Sequence, residues 1–238
     1  MHARRLFLLL LVVPLGAATC RAQPDDSSDL EQTRHEMVRT QVADRGVSDE
    51  AVLDAMRAVP RHRLVPARLS DLAYTDRPLP IGQEQTISQP YIVALMTEAL
   101  RPESTDRVLE VGTGSGYQAA VLAEIVDSVY TIEIVPELAR TARARLDSLG
   151  YDNVVVREGD GYAGWPERAP FDAIVVTAAP NEIPPPLIEQ LAPGGRMVLP
   201  VGPTDAVQRL TLVTKNKDGS VTRERLMPVR FVPFQRND

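Results

Sequence analysis

In VLEVGTGSGYQAAVLAEIV, Val108 to Val126, a short buried strand runs into a glycine-rich turn and then into an apolar helix. Val108, Leu109 and Val111 supply the apolar, β-branched character a strand needs around Glu110, and Gly112 stops the run. Gly112, Gly114 and Gly116 allow backbone angles, and a closeness of approach, that a Cβ forbids. Tyr117, Ala120, Val121, Ala123, Glu124 and Val126 follow at helical spacing. Free amides at the start of that helix would face whatever lies above the glycines, so the pattern points to a nucleotide-like cofactor. A tight turn without a ligand would use the same glycines, so other residues must decide.

Spacing separates the cofactor classes that use this architecture. The dinucleotide fingerprint is G-x-G-x-x-G, whereas the third glycine here comes one residue early, at 116. A P-loop needs Gly-Lys-Ser/Thr at the end of the turn, and Gly116 is followed by Tyr117 and Gln118. Neither pattern fits. Downstream, SVYTIEIVPE reads as a second strand ending in Glu133, about 20 residues after the turn, where a doubly wound site places a carboxylate for ribose hydroxyls. NVVVREGDGY reads as a third strand ending at Asp160 and Gly161, again on the carboxyl edge. Each carboxylate alone could be a helix cap or a solvated turn residue. Three consecutive strands that deliver polar groups to one rim favour a ligand.

LEVGTGSGYQAA, TIE, GDG, PFDAIVVTAAP and LAPGGRMVLPVG resemble the successive motifs of S-adenosylmethionine-dependent methyltransferases. The upstream LPIGQEQTISQPYIVALMTEAL and the closing VRFVPF resemble, more specifically, the protein-L-isoaspartate (D-aspartate) O-methyltransferases. The likeness runs from about Arg34 to Phe234. It implies a cofactor, S-adenosyl-L-methionine, and an activity: methyl transfer to the free α-carboxyl of L-isoaspartyl residues in damaged proteins and peptides, whose ester then collapses to a succinimide that reopens partly to aspartate. It also implies roles. Ser88 occupies the active-site serine position; Gln85, Thr86 and Ile87 would line the junction of cofactor and substrate; Gly112 would lie against the methionine end of the cofactor and Glu133 would bind ribose. Asp160 with Gly161 would flank adenine, Glu110 and Gly114 would shape the same pocket, and Gln208 is a weaker carry-over. The likeness breaks at Glu84, where close relatives carry glycine; an inward Glu84 would repel a carboxylate substrate, so it is expected to face solvent.

The acceptor atom can be argued from the residues beside the resemblance. Enzymes that methylate an amide or amine nitrogen carry Asn/Asp-Pro-Pro-Tyr/Phe after the fourth strand, to hold the amino group. Thr177 to Pro180 read TAAP, without such an acceptor. A carboxyl oxygen, ionised at neutral pH with a pKa near ~4, needs no general base. His2 lies in the first residues, and His35 and His62 sit in arginine-rich stretches without metal-ligand spacing, so no metal is expected and the latter two read as surface or packing residues. Catalysis would then come from placement. Pro90 fits the first turn of a helix, which makes Gln89 its cap and sets Ser88 at a helix mouth whose amides and dipole attract an anion. Two other readings remain: a methyltransferase for another small carboxylate or hydroxyl compound, and a non-catalytic cofactor-binding protein.

The chain has 238 residues and a formal charge of -6, which leaves no broad basic face for nucleic acid. MHARR, LFLLLLVVPLG and CRA give residues 1–22 the three regions of a signal peptide, with an apolar run too short to span a bilayer. Cleavage after Ala22 would remove Cys20, the only cysteine. A lipidated Cys20 is a second reading, against which Thr19 argues; a third is a cytoplasmic protein that starts at Met37. Residues 23–33, with QPDDSSDLEQ, read as a solvated, disordered tether. Residues 34–236 read as a single methyltransferase domain: an N-terminal cap and substrate loop at 34–104, a cofactor-binding core at 105–202 and C-terminal strands at 203–236. In the cap, SDEAVLDAM reads as a helix capped by Ser48, and YTDRPLPIGQEQTIS as a loop. PFDAIVVTAAP and GRMVLPVG read as fourth and fifth strands, and the tail as a final hairpin around KDGS. The expected fold is therefore α/β: a Rossmann-like, doubly wound, mostly parallel sheet of about seven strands with helices on both faces and a small N-terminal helical cap. The expected partners are isoaspartyl-containing proteins and peptides, with the chain a monomer that does not stay on the membrane after loss of its leader.

Overall fold

The computed structural model describes residues 26–237. The expected signal peptide, residues 1–22, lies outside the described residues, as does the start of the expected tether. From Asp26 onward the tether expectation fails: α1, Asp26–Met37, is helical, and its Leu30 packs against the core. A strongly polar run reads as solvated chain, but an apolar side chain within it anchors a helix when a core is there to receive it.

The cap continues through a π-helical turn, Val38–Val42, and α2, Glu50–Ala58. Asp49 caps α2 by accepting from the Val52 amide at 3.2 Å; the expected cap, Ser48, instead gives its own amide to Glu98 Oε1 at 2.7 Å. Arg61 is fully buried: its Nε donates to Ala73 O at 2.8 Å and its guanidinium lies over the Tyr117 ring, 4.6 Å from the centroid, so it ties the cap to the core. The expected loop contains a hairpin of β1, Leu79–Gly82, and β2, Gln85–Ile87. Then comes α3, Pro90–Leu100, with Gln89 at its cap position and Pro90 in its first turn as expected.

The core alternates β3, Arg107–Val111; α4, Tyr117–Ala123; β4, Ser128–Glu133; α5, Pro136–Leu149; β5, Val154–Glu158; β6, Phe171–Val176; α6, Pro185–Gln190; and β7, Leu191–Val201. The chain ends in β8, Gln208–Lys215, and β9, Val221–Val229, an antiparallel pair that completes one seven-stranded sheet in the order β5-β4-β3-β6-β7-β8-β9. The pairs β3 with β4, β3 with β6, β4 with β5 and β6 with β7 are parallel. Period-two alternation splits the buried residues between two faces. Val108, Ala173 and Val175 join the cluster under the cap, α3 and α4, while Leu109, Ile174 and Val176 join the one with Phe171 and Leu187. Strands covered on both faces have to be apolar nearly throughout, which is why PFDAIVV reads as it does. Because β4 and β5 lie on one side of β3 and β6 and β7 lie on the other, the chain reverses its winding between β3 and β6, and a crevice opens above their carboxyl ends.

Candidate active site

That crevice encloses about 760 Å³, open mouth included. Its floor is the ends of β3, β4 and β6, and its walls come from the β1–β2 hairpin, the lead into α3, and residues 232–235 of the tail. Of the residues singled out from the sequence, Ser88, Gln85, Thr86, Ile87, Glu110, Gly112, Gly114, Glu133 and Gly161 all line it. Asp160 and Gln208 do not.

The glycine turn works differently from a phosphate cradle. Gly112 adopts φ +100, and a Cβ there would collide with Thr177 Oγ1, so its need for glycine is set by the chain's own packing. Several of the amides expected to be free are taken up within the chain. The Gly112 amide donates to Ile132 O at 2.8 Å, Gly116 to Thr113 O at 2.8 Å, and Tyr117 to Ser115 Oγ at 3.2 Å. Gly114 donates to Glu133 Oε2 at 2.7 Å, and Val135 to Glu133 Oε1 at 3.0 Å. The amides of Gly114 and Val135 thus fix the Glu133 carboxylate at the end of β4, and an acidic acceptor lines the cavity. A site with this polarity suits hydroxyl and cationic groups and repels phosphate.

Glu110 makes the same point more strongly. It is fully buried, its Oε2 accepts from Thr131 Oγ1 at 2.5 Å, and Thr113 Oγ1 lies 2.6 Å from Thr131 Oγ1. Because the Thr131 hydrogen goes to Glu110, Thr113 donates to Thr131. Among the described residues Glu110 Oε1 has no hydrogen-bond partner. Burial pushes the carboxyl up to about 8, with the Thr131 bond lowering it and the charge of Glu133 adding to the rise. A buried carboxyl oxygen without a partner, on a residue that lines a cavity, is costly unless a cation or donor arrives to meet it.

Ser88 stands at the other end. It is half-buried, and among the described residues its hydroxyl has no hydrogen-bond partner. It lies just ahead of the start of α3, although that helix mouth offers fewer amides than expected: those of Ile92 and Val93 fold back onto Gln89 O at 3.0 and 3.2 Å, and Pro90 has none. Anion attraction therefore rests on the Ser88 hydroxyl and the helix dipole. Thr177 Oγ1 is occupied with Gly112 O at 2.6 Å. Glu84 faces solvent, as expected. His62 is a packing residue, its Nδ1 2.6 Å from Tyr74 Oη.

The two absentees have structural tasks. Asp160 caps the turn after β5 through the Tyr162 amide at 2.9 Å, and its Oδ2 accepts from the Asn237 amide at 3.2 Å while Arg236 Nε lies 3.7 Å away. Gln208 is buried, gives Nε2 to Pro203 O at 3.2 Å and accepts from the Phe231 amide at 3.0 Å. It braces the tail segment that walls the cavity without reaching the cavity itself. Sequence reasoning missed Thr113 and Thr131, which orient Glu110, and gave no role to the tail wall. Only the VRFVPF motif marked that wall.

A family model described as protein-L-isoaspartate(D-aspartate) O-methyltransferase (PCMT) matches residues 32–238. A relative from Opitutus terrae named protein-L-isoaspartate O-methyltransferase is 57% identical over 231 residues, 97% of this chain and 96% of its own. One from Gloeobacter violaceus with the same name is 60% identical over 200 residues, 84% of this chain and 97% of its own. Among solved structures, a protein-L-isoaspartate O-methyltransferase superposes with a TM-score of 0.74 at 30% identity, covering 85% of this chain and 65% of that one. A putative one from Plasmodium falciparum, solved in complex with S-adenosyl-L-homocysteine, gives a TM-score of 0.74 at 26% identity over 86% of this chain and 99% of its own. By motif order, strand topology and likeness over nearly its whole length, the chain belongs to the protein-L-isoaspartate O-methyltransferase family.

Proposed function

We propose that the chain moves a methyl group from S-adenosylmethionine to the free α-carboxyl of L-isoaspartyl residues in aged proteins and peptides, as a repair enzyme. One observation carries this reading. Ser88, together with Thr86, Thr177 and Val232, lines both the acid-floored cavity and a second groove that opens beside it, so a carboxylate entering from the groove meets the cofactor cavity at a hydroxyl donor. The unpartnered Glu110 oxygen fits the ammonium of the cofactor's methionine portion, and Glu133 fits ribose hydroxyls. The cofactor supplies a methyl on a sulfonium whose departure leaves a neutral thioether.

The chain's own residues do the remainder. Ser88 donates to one substrate oxygen and leaves the other free to form the O–C bond as the C–S bond breaks. The β1–β2 hairpin and the tail wall keep water from competing. No general base is required, because a carboxyl of pKa about 4 is already ionised at neutral pH. Holding oxygen, carbon and sulfur in line is the main contribution, worth up to roughly 7–11 kcal/mol in well-oriented systems. The ester then loses methanol as the neighbouring peptide nitrogen closes the succinimide.

The test is incubation with labelled cofactor and an isoaspartyl peptide beside its aspartyl twin. Label on the isoaspartyl peptide alone supports the reading; equal label on both, or on neither, rejects it. Residues 1–22 support export of a chain beginning at Gln23, and N-terminal sequencing of the native protein distinguishes that start from Met37.

A further inference from the structure

Beyond Ser88, the second groove runs between the start of α3 and the end of β9, and its charged lining residues among those described are Arg45 and Arg230, with no acid. In a chain of net charge -6 this is a local reversal of sign. The two arginines differ. Arg45 is held in place: Nη1 donates to Asp76 Oδ2 at 2.7 Å and the guanidinium lies 3.6 Å from the centroid of the Tyr91 ring, so its charge is largely matched. Arg230 is exposed and, among the described residues, makes no ion pair or hydrogen bond. The strand register sets another cation, Arg209 on the neighbouring β8, opposite Pro228, two residues before Arg230.

We propose that Arg230 is a specificity-determining residue, which makes the groove select isoaspartyl substrates that carry an acidic side chain close to the damaged residue. This rests on the methyl-transfer reading above. A peptide whose isoaspartyl carboxylate reaches Ser88 has to lay its flanking residues along the wall formed by Met227 to Phe231. There Arg230 is the one unmatched charge, and it points toward solvent that a substrate would displace. A flanking carboxylate completes it, a neutral residue leaves it as it is, and a flanking lysine repels it. The pair stays partly exposed, so its effect is modest and salt-sensitive. It acts on capture of the substrate and leaves the bond-making geometry at Ser88 untouched.

The experiment uses the full chain and a series of isoaspartyl peptides in which each flanking position in turn is Glu, Gln or Lys. At low salt the expected result is a position where kcat/KM for Glu exceeds that for Gln by about threefold to fivefold, through KM with kcat constant. Lys should fall below Gln, and the spread should shrink at high salt. In Arg230→Gln the Glu-to-Gln ratio should drop to about one while the all-neutral peptide is methylated as before, and in Arg230→Glu the preference should invert. The inference is overturned if the wild-type chain treats the series alike, or if its preference survives unchanged in Arg230→Gln. Failure to methylate any isoaspartyl peptide would instead sink the methyl-transfer reading itself, so the two failures are distinguishable.

Discussion

Glu110 is a carboxyl that the folded chain keeps protonated well above the usual carboxylate range, because burial penalises its charge and the charge of Glu133 adds to the rise. A cationic ammonium prefers the ionised form, so cofactor binding has to expel that proton. Affinity for S-adenosylhomocysteine is therefore expected to climb as pH rises toward about 8, by at most about tenfold per unit, and to level off above it. Calorimetry across that range checks this, and Glu110→Gln should bind more weakly with a flat profile. Ser88→Ala tests the other end of the cavity. Loss of a hydrogen bond to a charged group costs about 1.5–3 kcal/mol, so kcat/KM for an isoaspartyl peptide should fall roughly tenfold to hundredfold while S-adenosylhomocysteine affinity stays within about twofold. At this scale the sequence was informative where a residue's place depends on its offset from a strand end, as for Gly112 and Glu133, which both line the cavity. It was silent on Thr131, whose bond to Glu110 exists only because β3 and β4 pair in a register that sets Glu110 against Thr131. Asp160 and Gln208 lie outside the cavity lining for a related reason: the tail folds back and bonds to both of them.

Among the elements, the β1–β2 hairpin departs furthest from its sequence. Its two turn residues, Gln83 at φ +51 and Glu84 at φ +57, both adopt the left-handed conformation of a type I′ turn, for which Asn-Gly is the favoured pair. Neither residue announces such a turn, and the segment therefore read as a loop. The left-handed region costs a non-glycine residue about 1–2 kcal/mol, and the Glu84 side chain faces solvent. Glu84→Gly is expected to stabilise the chain by about 1 kcal/mol, less what glycine loses in unfolded-state entropy, seen as a higher urea midpoint at unchanged slope. An unchanged or lower midpoint would show that the turn is strain-free. The strands and helices of the core were far easier to read. Each has a local signal: alternation buried on two faces in β3 and β6, Pro90 at the start of α3, and Gly150 in the left-handed conformation at the end of α5.

For the whole molecule, the alternation of strand and helix from Arg107 to Val201 was enough to anticipate a mostly parallel, doubly wound sheet, because each crossover is a local unit. The sequence did not reveal how the last strands attach, or that the chain beyond β9 returns across the carboxyl edge, with the Ala179 amide donating to Val232 O at 2.8 Å and the Phe234 amide to Ala179 O at 3.1 Å. Those contacts join residues far apart in the chain, and no local pattern encodes them. They matter because they wall the cavity and separate it from the groove, so that both meet at Ser88. A crystal structure of the full chain with S-adenosylhomocysteine and an isoaspartyl peptide tests that arrangement most directly. The expected result is a ligand lying across the ends of β3, β4 and β6, its amino group on Glu110 and its ribose on Glu133, with the isoaspartyl carboxylate on the Ser88 hydroxyl and facing the sulfur. A ligand bound elsewhere, or a carboxylate seated away from Ser88, would contradict the account.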